Sequence, residues 1–258
     1  MKERVRYYKN ITTDDFAGTK INTEKVPAGY RYIDRRPVYK VGEFFVYRVV
    51  ARPLITVYMK VRFHQRFKNK RVLKKIGRQG AFLYGNHTLL EGDAFIPNMA
   101  FFGRKNYIIA GADAVSIPGI RTLVKMLGAI PLPDTTAGYR NFRACISARV
   151  GAGATITVFP EAHIWPYYTG IRPFPATSFH YPVELNAPVY VLTNTYHKKR
   201  FGILPGPRIV TYVDGPFVPD PSMPKKSAME DLRTEVLTVM EERAAQSDYE
   251  YIKYLPTA

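Results

Sequence analysis

The chain has a single cysteine, Cys145, among 258 residues, so it can close no internal disulfide and hold no Cys-rich zinc module. Packing has to hold it together. No stretch of about 18 apolar residues runs without a charge, which argues against a transmembrane helix, and the opening MKERVRYYKN lacks the apolar segment of a secretory signal. Those absences make the cytoplasm the expected compartment. Acidic residues are scarce as well: 21 Asp+Glu stand against 38 Lys+Arg, a formal net charge of +17. What is present is apolar bulk, 46% of the residues, which excludes a disordered tail and allows one α/β domain or two small ones.

The excess charge is uneven. Residues 1–80 hold 21 Lys+Arg and 6 Asp+Glu, whereas the rest of the chain holds 17 and 15. A polybasic first third joined to a nearly neutral remainder suggests a surface for an anionic partner, either phospholipid headgroups or nucleic acid. Residues 1–40 show little periodicity and read as a basic N-terminal extension that wraps on the surface or orders only on binding, ahead of a single domain over 41–258. Within 44–71, Val46, Val50, Leu54, Val57 and Val61 recur on one helical face and Arg48, Arg52, Arg62 and Arg66 on the other. Pro53 has no backbone N–H, so two shorter helices are expected there instead of one rod. Such a basic amphipathic region either packs on a core with a solvated face or lies in a membrane interface with its arginines on headgroup phosphates.

From Gly80 onward short apolar runs alternate with helical stretches. AFLYG, NYIIAGA, AIPLP and ATITVFP are followed by helical patterns over 94–103, 116–127 and 138–151 and by a polar, aromatic loop; PVYVLTNTYH, RIVTYVDGPF and a helical pattern over 226–246 close the chain. The alternation predicts an α/β fold, a mostly parallel sheet flanked by helices. In an open parallel sheet ligands bind at the carboxyl ends of the strands. Two such ends carry polar groups: Asn86, His87 and Asp93 after AFLY, and Glu161 after ATITVFP. A histidine with a carboxylate a few residues on can serve as a general base, the carboxylate taking one ring N–H and leaving the other nitrogen free for a proton.

Asn86-His87 with Asp93, the segment GAIPL from Gly128, VFPE ending at Glu161, and downstream Pro173-Phe174 and Ala187-Pro188-Val189 resemble, in order and spacing, the lysophosphatidic acid acyltransferase family of glycerolipid acyltransferases. The resemblance covers roughly residues 72–217. It implies transfer of an acyl group from acyl-CoA or acyl carrier protein to a glycerol hydroxyl without an acyl-enzyme, with His87 as base and Asp93 as its partner. It further implies substrate contacts at Asn86, Glu161 and, on the donor side, Pro188. The implied partners are a lysolipid acceptor, an acyl thioester co-substrate in place of any tightly bound cofactor or metal, and the cytoplasmic face of an anionic membrane.

The sequence departs from that pattern in several places. Five residues separate His87 from Asp93 where the family has four, and Gly92 stands at the expected Asp position. A positive φ at Gly92 would absorb the extra residue. The second motif places its arginine where Asp134 stands here, and the third reads Ala162, His163, Ile164 where glycine, threonine and arginine are usual. Arg140 and Arg172 are the candidate replacements for the lost cations, because guanidinium pairs bidentately with phosphate. His163, His180 and His197 have no metal-ligand spacing and read as scaffold. Cys145 reads as buried packing, Lys198-Lys199-Arg200 as a solvated strand end, and Trp165, Tyr167 and Tyr168 as staples of their loop. Two other readings stand beside acyl transfer: a lipid-binding homologue without activity, motivated by the altered motifs, and a nucleic-acid-binding protein, motivated by the charge but lacking any recognisable module.

Overall fold

A computed structural model describes residues 4–18, 25–90, 92–101, 103–116, 119–202 and 204–257. The elements in chain order are β1 (Val5–Tyr8), α1 (Pro37–Phe44), α2 (Arg52–Phe63), β2 (Arg66–Lys68), β3 (Ala81–Gly85), α3 (Ile96–Ala100), β4 (Asn106–Ala110), α4 (Arg121–Met126), β5 (Ala129–Pro131), α5 (Thr136–Gly151), β6 (Thr155–Val158), α6 (His180–Glu184), β7 (Val189–His197), β8 (Arg208–Phe217), α7 (Lys225–Ala244) and β9 (Lys253–Pro256).

Seven strands form one sheet in the order β2-β8-β7-β3-β6-β4-β5, parallel throughout except for the antiparallel pair β7/β8. Every residue of β3 and of β7 is buried, as expected of central strands covered on both faces. One face is closed by α5 and α7, whose Phe142, Ile146, Leu232 and Val236 pack on Phe82, Ile156 and Val189. On the other face Met59 and Phe63 of α2 and Met99 of α3 meet Tyr196 and Ile209. Four-residue spacing explains α7, where Ala228, Leu232, Val236, Met240 and Ala244 are the buried positions. Thr135 caps α5 by accepting the Gly138 N–H.

The two ends of the chain meet. β1 and β9 pair in parallel, Val5 opposite Lys253, and Tyr8, Phe16, Trp165, Tyr251 and Tyr254 gather in one aromatic cluster. Trp165 stacks on Tyr254 with ring centroids 4.9 Å apart and meets the tilted ring of Tyr8 at 4.8 Å. Both termini therefore brace the loop that follows β6.

A second α-helix begins at Pro53 as expected, with the proline in the first turn of α2, but the chain does not leave helical backbone between α1 and α2. A seven-residue π-helical segment, Phe45–Ala51, joins α1 to α2 with helical backbone at both junctions, so the chain is helical from Pro37 to Phe63. The wider turn spaces bonds five residues apart, Arg52 N–H to Tyr47 O for one, which accommodates the donor that Pro53 lacks without ending the helix. Its orientation is a second departure. The arginines face the protein: Arg52 is buried and donates to Phe101 O at 2.7 Å, Arg48 donates to Gly103 O at 3.1 Å, and Arg62 donates to Pro205 O. Only Arg66, on β2, stays exposed. Val41, Phe44, Phe45, Val50, Leu54, Val57 and Val61 turn to solvent instead, Leu54 at 65%. Free carbonyls at the ends of neighbouring elements select the guanidinium groups, and the apolar stripe is left outside.

Candidate active site

His87 leaves the C-terminal end of β3, and its neighbours come from the matching ends of β6 and β7. The parallel register sets Gly85 beside Leu192, which brings Asn194 level with His87. Asn86 and Asn194 lock the two strand ends: Asn194 N–H donates to Asn86 Oδ1 at 2.8 Å, and Asn86 Nδ2 donates to Asn194 O at 3.0 Å. Gly85 leaves room for the Phe159 ring, which a Cβ there would meet at 2.8 Å. That ring stacks on the His87 imidazole with centroids 4.6 Å apart.

His87 Nδ1 lies 2.9 Å from Asp93 Oδ2. The extra residue between them is absorbed by a helical turn, in which Asp93 N–H and Gly92 N–H both donate to Leu89 O. Gly92 does not take a positive φ. It is small because a Cβ would fall 2.1 Å from Leu89 Cδ2 and 2.9 Å from Met59 Cε. Glu91 lies outside the described residues. The Asp93 carboxylate also accepts Leu89 N–H at 2.9 Å on Oδ2 and Asn194 Nδ2 at 3.1 Å on Oδ1. Burial raises its pKa, opposed by its bonds to His87 and to backbone N–H groups. With acceptor oxygens filled by donors, the proton belongs on His87 Nδ1, and Nε2 keeps a lone pair. The His87 side chain is 18% exposed, enough for a reactant to reach it.

Glu161 and Arg172 come together, but away from solvent. Both side chains are 0% exposed, and Arg172 NH2 lies 3.0 Å from Glu161 Oε2. Glu161 also accepts the Arg172 and His87 backbone N–H groups, and the Arg172 guanidinium donates to His163 O and faces the Trp165 ring at 5.2 Å. Burial raises the Glu161 pKa against the pull of Arg172. This pair ties the post-β6 loop to the strand end of His87; Arg172 is no exposed phosphate ligand, because its charge is already held by a buried carboxylate. Arg140 stands exposed on α5. Pro188 precedes β7 at the opposite end of the sheet from His87, its carbonyl accepting Phe82 N–H at 2.9 Å. Removing one member of a buried ion pair strands the other charge, so Arg172→Met is expected to lower unfolding free energy by about 3–5 kcal/mol. Arg140→Ala should stay within about 0.5 kcal/mol of the parent in the same urea titration.

Beside the dyad lies an apolar cavity of about 270 Å³ between the α1–α2 helix, α3 and the β4–β5 edge. Ala94, the residue after Asp93, is part of its wall with Ile55, Phe95, Ile108 and Leu127. Tyr47 lines it too, held by donating to Asn98 Oδ1 at 2.6 Å and accepting Asn106 N–H at 3.1 Å. Three contributors to the site escape sequence reasoning: Asn194, Phe159 and Tyr47. The one available signal was the polar triplet Thr193, Asn194, Thr195 in the middle of a strand that is otherwise apolar.

The mostly parallel α/β domain thus sets a His–Asp pair at a strand end with an apolar cavity beside it. The family model described as "Acyltransferase" matches residues 60–195, more than half of the chain, and the chain belongs to that family. Among solved structures it is similar to the crystal structure of the 1-acyl-sn-glycerophosphate (LPA) acyltransferase PlsC from Thermotoga maritima, at 18% identity and a TM-score of 0.57, over 84% of this chain and 85% of that one. No curated protein matches. No helix among the described residues is long and apolar enough to cross a membrane.

Proposed function

We propose that the protein moves a fatty acyl group from an acyl thioester, acyl-CoA or acyl carrier protein, to a hydroxyl of a lysophospholipid or related glycerolipid, while resting on a membrane surface. The observation that carries the reading is the buried Asp93 on His87 Nδ1, beside an apolar cavity whose wall begins at Ala94. His87 Nε2 takes the hydroxyl proton as the acceptor oxygen bonds to the thioester carbonyl carbon. The resulting tetrahedral adduct collapses with cleavage of the C–S bond, and the proton on Nε2 passes to the departing thiolate. Asp93 fixes the tautomer and stabilises the imidazolium between the two transfers. No nucleophilic side chain is needed, and Cys145 is buried on the core face of α5.

The membrane part of the reading rests on the outward apolar stripe of the α1–α2 helix. The β7–β8 loop extends it: Phe201 is 73% exposed, its ring 5.3 Å from His64 at the end of α2, and Lys199 Nζ ties the two by donating to Arg62 O at 2.5 Å and Leu204 O at 3.1 Å. Apolar side chains enter the interface while Lys198 and Arg200 remain with the headgroups. Incubation with acyl-CoA, acyl carrier protein thioesters and a panel of lysolipids, read by lipid mass spectrometry, tests the reaction; product with some lysolipid is expected.

In this reading the acyl chain occupies the 270 Å³ cavity, part of whose wall is Tyr47. Tyr47→Val should therefore shift the preference to longer thioesters while Tyr47→Phe, which keeps the ring, leaves the chain-length profile unchanged. Turnover measured across a series of saturated acyl-CoA lengths checks this; the same optimum in both variants would remove Tyr47 from the acyl site.

A further inference from the structure

On the other side of Tyr47 lies a second cavity, about 540 Å³, between the α1–α2 helix and the C-terminal end of α5. Arg35, Lys40, Arg48, Lys105 and Arg149 line it against two carboxylates, Asp34 and Glu43. Both carboxylates are engaged, Asp34 by Arg36 at 2.6 Å and Glu43 by Lys105 at 2.6 Å. Arg149 pairs with no carboxylate among the described residues. Its guanidinium carbon lies 4.3 Å from the centroid of the Tyr107 ring, beside the Cys145 thiol, and its Nε is buried without a hydrogen-bond partner. Arg35 and Lys40 stand exposed at the rim and form no ion pair with a described residue. A third concavity of about 430 Å³ adjoins at Lys105 and Arg149 and adds Arg78.

This basic hollow is not the catalytic site. Lys105 precedes β4 and Ala152 precedes β6, so it opens at the N-terminal ends of the strands. Ala81 pairs with Thr155 at that end, and His87 lies six residues further along, roughly 20 Å away at strand rise. Phe44 joins it to the apolar stripe, since that ring forms part of the wall and is 56% exposed.

We infer that the cavity binds the phosphate of an anionic phospholipid in the leaflet on which the stripe rests, a lipid that is neither donor nor acceptor. The inference rests on the bilayer reading of the stripe. With that stripe embedded, a cation-lined opening at Phe44 sits at headgroup depth, and the lipid's acyl chains remain in the bilayer alongside Phe44 and Val41. A guanidinium seated over the Tyr107 ring can present its donors to a phosphate bidentately, as a flexible lysine would not. Arg35 and Lys40 at the rim supply the attraction that guides the headgroup in.

The test is co-sedimentation of the full chain with vesicles of phosphatidylcholine alone and of phosphatidylcholine with phosphatidylglycerol. The variant Arg35→Ser/Lys40→Ser/Arg149→Met is compared with a charge-matched control on distant elements, Lys225→Ser/Lys226→Ser/Lys253→Ser. The parent should bind both vesicles and favour the anionic ones. The cavity variant should lose that preference, on the order of 10²-fold for three basic groups, while binding to phosphatidylcholine vesicles and turnover in neutral detergent micelles stay unchanged. An equal loss in the control would reduce the preference to net charge and overturn the inference. So would a preference retained by the cavity variant, or its retention alongside a loss of binding to acyl carrier protein, which would assign the hollow to an acidic protein. A parent that binds neither vesicle would instead contradict the bilayer reading itself.

Discussion

Replacing His87 by Ala is expected to lower turnover by roughly 10² to 10⁴ with folding and vesicle binding intact. An alcohol holds its proton too tightly at neutral pH to attack a thioester unaided, and imidazole, with an unperturbed pKa of about 6.5, is mostly neutral there and can take that proton. The site prepares it for the task. Asp93 Oδ2 occupies Nδ1 at 2.9 Å, and the Phe159 ring fixes the plane of the imidazole. Asp93 keeps the Leu89 N–H and Asn194 Nδ2 as donors when the ring is gone, so the loss should appear chiefly in kcat, with at most a modest fall in the unfolding midpoint. Survival of activity in His87→Ala together with its loss in Cys145→Ala would mean a covalent route.

The second large effect belongs to the stripe. Leu54, Val57 and Val61 are each at least half exposed, so Leu54→Asp/Val57→Asp/Val61→Asp removes no core contact and should leave thermal unfolding nearly unchanged. Sinking the remaining exposed part of each side chain into lipid contributes about 1 kcal/mol, so the triple variant should lose roughly 10²-fold in vesicle partitioning before the added charges are counted. Retention of parental vesicle binding would show that the stripe covers something other than lipid.

Much of this was legible in the sequence for a physical reason. β3 is an unbroken apolar run and β6 a β-branched one, Thr-Ile-Thr-Val, and polar residues follow where each strand stops, so His87 and Glu161 announced themselves as strand-end groups. The apolar period over 44–61 was equally plain, but a helical period does not say which face turns inward. That choice was made by carbonyls of Phe101, Gly103 and Pro205, residues far along the chain that only the tertiary fold brings near. Pro53 marked the start of α2, but local propensity did not show that a π-helical segment would keep the chain helical up to it. The pairing of β1 with β9 joins the two ends of the chain, and nothing local marks either partner. The same holds for Arg172, which stood as a replacement for a missing phosphate-binding cation and whose burial makes it the counter-ion of Glu161.

Acyl transfer through the His87–Asp93 pair is most directly tested by lipid mass spectrometry on the purified chain and on His87→Ala, each mixed with an acyl thioester and a lysolipid panel. The account predicts a diacyl product from at least one lysolipid with the parent and a loss of roughly 10² or more in its rate with His87→Ala. A parent that forms no ester with any lysolipid, or a His87→Ala variant that forms it at the parental rate, would contradict it.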